Sequence, residues 1–123
     1  MAFVNKTLDS NADFSTNYTG SVAARADNFD VAALQISGLT GASGNLNIEM
    51  TIDLADPITK QPKSTAVWTQ IDTVALAGTT ASHVFNITVA TATFYRITFT
   101  HSGGSVTGVV VGSLVKSYDR LGS

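Results

Sequence analysis

Leu46-Asn47-Ile48-Glu49-Met50-Thr51-Ile52-Asp53-Leu54 alternates apolar and polar residues through nine positions. Successive side chains of a strand point to opposite faces, so the pattern predicts a half-buried strand with Leu46, Ile48, Met50, Ile52 and Leu54 inward. The same period recurs nearby. Tyr95, Ile97 and Phe99 alternate with Arg96, Thr98 and Thr100, and Phe85, Ile87 and Val89 face inward between His83 and Val89. Phe3–Leu8, Ser21–Ala24, Phe29–Ser37, Val67–Val74 and Val106–Lys116 complete a set of about eight strands. No stretch holds a helical period.

Turn chemistry separates these segments. Gly38 to Gly44 carries three glycines and reads as a hairpin-type turn, as does Ser102-Gly103-Gly104-Ser105. Both prolines, Pro57 and Pro62, lie in the polar stretch 56–64, which reads as a surface loop. Val109 and Val111 share a face, with Val110 on the other, as in a central strand or one covered by a neighbouring subunit. The expected fold is all-β: one antiparallel β-sandwich, jelly-roll-like, spanning 1–123, with an N-terminal arm 1–17 and a short tail 117–123.

A chain of 123 residues suffices for one domain with its own core. It has no cysteine, which removes disulfides and thiolate metal sites. Charged residues make up 13% and the net charge is -2, without the basic face a phosphate backbone needs. The start Met1-Ala2-Phe3-Val4-Asn5-Lys6 does not read as a secretory signal, and no apolar run approaches a membrane span. Mean hydropathy of +0.20 therefore reads as buried strands, with neither nucleic acid nor membrane as partner.

Chemistry-bearing patterns are few. Asp9-Ser10-Asn11-Ala12-Asp13 opens like a calcium loop, but Phe14 replaces the required glycine and Gly20 the closing glutamate. Glu49 and Asp53 share a strand face roughly 13 Å apart, whereas glycosidase carboxyls sit about 5–9.5 Å apart; Asp72 is a conceivable partner from another strand. His83 and His101 lack a second ligand at metal spacing and read as rim residues. The Gly38–Gly44 loop lacks a P-loop ending. Asn5, Asn17 and Asn86 match glycosylation acceptors, as chance allows in a Thr-rich chain. Trp68 reads as core or subunit interface; exposed, it would stack on a sugar. Tyr18 and Tyr118 are candidate contact residues beside the arms. No catalytic, cofactor-binding or metal residue is assigned, and no enzymatic activity is expected.

Leu34-Gln35-Ile36-Ser37-Gly38-Leu39-Thr40-Gly41, Leu46 to Asp53, Trp68-Thr69-Gln70-Ile71-Asp72, Phe94 to Thr100 and a Val-rich strand ending at Lys116 follow one another in an order that resembles small β-sandwich virion proteins of tailed bacteriophages. The resemblance covers about Val22 to Lys116. It implies a capsid decoration (cement) protein without an active site, homo-oligomeric and often trimeric, bound to a phage capsid or tail protein, with residues 2–17 as the contact segment. The alternative is a carbohydrate- or receptor-binding module of a tail or fibre.

Overall fold

The computed structural model describes residues 2–24, 29–87 and 92–117. Among them are nine strands and no helix: β1 (Ala2–Ala12), β2 (Tyr18–Thr19), β3 (Ala23–Ala24), β4 (Phe29–Ser37), β5 (Ser43–Thr51), β6 (Thr69–Ala77), β7 (Ser82–Asn86), β8 (Phe94–Gly103) and β9 (Val109–Ser117). They form a four-stranded sheet, β1-β9-β4-β7, and a five-stranded sheet, β2-β8-β5-β6, with β3 also on β8.

Every pairing is antiparallel, and the pairs nest from the chain ends inward. β1 lies on β9, β2 and β3 on β8, β4 on β7, and β5 on β6. A long double ribbon wound across two layers has this connectivity, which is the expected jelly-roll sandwich. β2 and β3 act as two pieces of one interrupted strand along β8, which accounts for the ninth element.

Alternation fills the space between the sheets. Leu34 and Ile36 of β4 stand opposite Ser113 and Val111 of β9, all turned inward. From the facing sheet come Leu46 and Ile48 of β5 and Tyr95, Ile97 and Phe99 of β8, each 1% exposed or less. Phe14, on the crossover after β1, is fully buried and stacks on Phe99 with ring centroids 4.4 Å apart.

Several expectations are corrected. Ala2–Ala12 is no arm: it is an edge strand paired with β9, because Val109–Ser117 would otherwise expose one whole row of backbone groups. Of the expected tail, Ser117 ends β9 and 118–123 lie outside the described residues. β5 stops at Thr51, where its partners run out: Met50 faces Thr69, the first residue of β6, and Thr51 faces Phe94, the first of β8. Ile52 and Leu54 are consequently exposed, not inward. Val67 and Trp68 precede β6 rather than opening it. Val89 lies outside the described residues.

The two glycine-bearing turns are not hairpins, since each carries the chain between sheets. Gly44 shows why glycine is needed there. Its φ is +148°, and a Cβ would lie 2.1 Å from the Thr100 carbonyl oxygen and 3.0 Å from the Phe99 ring.

Candidate functional site

The first sequence candidate is dispersed by the fold. Asp9 lies on β1 and is engaged from the other sheet: its carboxylate accepts hydrogen bonds from the Tyr18 hydroxyl, the Ser21 amide (3.0 Å) and the Ser21 hydroxyl (2.8 Å). Asp13 instead accepts from the Ser15 amide at 2.8 Å. No group of three potential metal-ligating side chains occurs among the described residues. Asp9 therefore serves as a clamp between the sheets.

That clamp titrates. Burial raises the Asp9 pKa, but the bonds from Tyr18 and Ser21 outweigh it and hold the carboxyl below its ordinary 3.8. Burial and the neighbouring carboxylate push the Tyr18 phenol well up. A carboxyl depressed on folding contributes stability that is complete above its unfolded pKa and is lost as pH falls through the folded value. Asp9→Asn should cost about 1–2 kcal/mol at neutral pH, with the deficit vanishing at acid pH. Urea midpoints of both proteins along the acid limb measure this; a deficit independent of pH would refute it.

The paired-carboxylate candidates separate as well. Glu49 holds Arg96 at 2.8 Å, and Arg96 lies over the Trp68 ring, 4.0 Å from its centroid. Asp53 accepts the Val67 amide at 2.6 Å, and Asp72 the amide of Thr73 at 2.8 Å. Beside them, Thr73 donates to Asn47 (2.7 Å) and Asn47 to Thr98 (3.3 Å) across the outer face of the five-stranded sheet. His101 meets the Gly104 carbonyl at 2.8 Å, and His83 lies edge-on to Phe85. Each histidine stands near a strand end. Tyr118 lies outside the described residues.

Two surfaces remain. The first is the connection from β5 to β6. Ile52 (68% exposed), Leu54 (78%), Ile58 (89%) and Val67 (71%), with Ile71 (41%) just inside β6, are five of the eight large apolar side chains exposed among the described residues. This segment is firmly built. Asp53 ties its two legs together through Val67, and the Asp56 side chain caps the amides of Ile58 (2.8 Å) and Thr59 (3.1 Å). Asp56 and Gln61 close the tip through a backbone bond of 2.9 Å, with Lys60 at φ +62°. Sequence reasoning placed Ile52 and Leu54 in the core and saw only a polar loop around Ile58. The available signal was the recurrence of isoleucine and leucine among the loop's prolines and lysines.

The second surface is a groove of about 480 Å³ on the outer face of the four-stranded sheet. Register explains it. Val84, Gln35, Gly112 and Thr7 form one row across the strands, and Asn86, Ala33, Leu114 and Asn5 the next. Gly112 and Ala33 leave the centre low, while longer polar side chains stand around it.

No family model matches the chain, and no curated protein matches it. Among solved structures, a similar chain belongs to Bacillus endospore appendages, described as a novel family of disulfide-linked pili. Identity is 15%, the match covers 95% of this chain and 89% of that one, and the TM-score is 0.46. A likeness of that degree carries no argument about the role of this chain.

Proposed function

We propose that this chain is a structural component of an assembly, a virion protein of the capsid decoration type, which works by burying surface rather than by chemistry. The carrying observation is the ordered 52–71 segment, which holds isoleucine, leucine and valine in water. Exposing such side chains is unfavourable unless a partner covers them, and clustered exposure marks an association surface. Hydrogen bonds across the loop fix its shape in advance, which lowers the ordering cost on binding. Trp68, half-buried beneath Arg96, adjoins the same segment. The phage head as partner rests on the resemblance in motif order.

On this reading the protein self-associates, as a trimer by that resemblance, and caps adjoining shell subunits. It stabilises the intact shell because the opened shell does not bind it. Burying one aliphatic side chain contributes about 1.5–3 kcal/mol. Leu54→Ser with Ile58→Ser should therefore weaken association by roughly a hundredfold or more. Sedimentation equilibrium of both proteins, together with binding to decoration-stripped phage heads, measures this. A strictly monomeric wild type that ignores such heads would overturn the proposal.

A further inference from the structure

The groove on the four-stranded sheet lies on a different sheet from the 52–71 segment, and its lining has a different chemistry. Its volume of about 480 Å³ falls among small-ligand sites. Lys6 is the one charged residue of its lining. Around the rim stand three amides, Asn5, Gln35 and Asn86, with the hydroxyl of Thr7. Side-chain amides both donate and accept, so they can meet ligand groups that also do both. Val84, Val110 and Leu114 supply apolar patches between them.

Each possible ligand class fares differently against that lining. An anion would find no cationic side chain, since Lys6 shares the inward-facing row of Ser113, a cation would find no carboxylate, and a fully apolar molecule would strand the amides without partners. A neutral polyol satisfies all three features, with hydroxyls for the amides and C–H faces for the valines and leucine. The span suits an extended ligand: crossing four strands covers roughly 14 Å, the length of about three linked sugar rings.

Gly112 shapes the floor of the groove. It sits mid-strand in β9, where no positive φ requires glycine, and glycine weakens a strand interior. Its side of the sheet faces the groove floor, between Gln35 and Thr7. A Cβ there would lie 3.3 Å from the Lys6 carbonyl oxygen, beside the register shift after Thr7, so glycine lets the β1 backbone approach and keeps the groove floor low. We infer that this groove is a binding site for a neutral glycan segment, lying across β1, β9, β4 and β7 and read by Asn5, Gln35 and Asn86.

The test is an NMR titration of the isotope-labelled full chain with cellotetraose, maltotetraose and mannotetraose in turn. At least one should give saturable amide shifts at Gln35, Asn86 and Gly112 while the 52–71 segment stays unmoved. Gln35→Ala with Asn86→Ala changes exposed side chains, so the melting temperature should hold while affinity falls about tenfold or more. The inference is overturned by the absence of saturable shifts with all three sugars, or by shifts that survive the double variant. It is equally overturned if an uncharged Ser/Thr peptide gives the same shifts at lower concentration, which would make the groove a polypeptide site. Leu54→Ser with Ile58→Ser should leave glycan binding intact, which separates this outcome from that of the assembly proposal.

Discussion

Phe14→Ala is expected to lower the free energy of unfolding by about 3–5 kcal/mol. The ring is fully buried, stacked on Phe99 at 4.4 Å and tilted against Tyr18 at 5.1 Å. Its own backbone is pinned, since the Phe14 amide donates to the Val106 carbonyl at 2.8 Å. The crossover therefore has little freedom to collapse into the vacated space, which sets the cost near the upper end for a buried aromatic. Domains of this size hold about 5–15 kcal/mol in all, so much of the reserve would go. The urea midpoint reports it, and a loss under about 1 kcal/mol would show that Phe14 does not plug the core.

Gly44→Ala should be nearly as damaging, at about 3 kcal/mol or more. The methyl would meet a backbone oxygen on the neighbouring strand and an aromatic ring, and neither can swing aside as a flexible side chain would. Positive φ adds strain of its own, about 1–3 kcal/mol for a residue with a Cβ held in so sparsely populated a region. The position lies at the register shift between β5 and β8, so relief would require re-pairing the strands. Thermal unfolding of the variant measures the loss. A melting temperature equal to wild type would mean that this shift is soft.

Both predictions concern residues whose importance the sequence showed unevenly. Tyr95, Ile97 and Phe99 were legible as core because alternation is a local property, and each is buried as expected. Phe29–Ser37 was legible to the residue as a bounded apolar run, although its inward phase changes between Val31 and Leu34, at a register shift. Phe14 was not, since it lies in a crossover where no period applies; it stood out only as the wrong residue in a calcium pattern. Ile52 and Leu54 continued the alternation of β5 perfectly. What ended the strand was the lack of a partner backbone beyond Thr51, and a single segment carries no sign of its neighbours' lengths. The glycan groove was hidden more deeply. Asn5, Gln35, Asn86 and Gly112 come from four strands spread along the chain, and only the sheet's register brings them together.

Nested pairing also constrains how the molecule comes into being. β5 and β6 are neighbours in sequence and can zip early, whereas Ala2 must wait for Ser117, the last residue of β9. Such distant closures carry a heavy entropic toll before any reward, and chains of this kind reach the native state in roughly milliseconds to seconds. On the ribosome, β1 stays unsatisfied until β9 has emerged. For that interval Ala2–Ala12 is a bare ribbon in search of a mate.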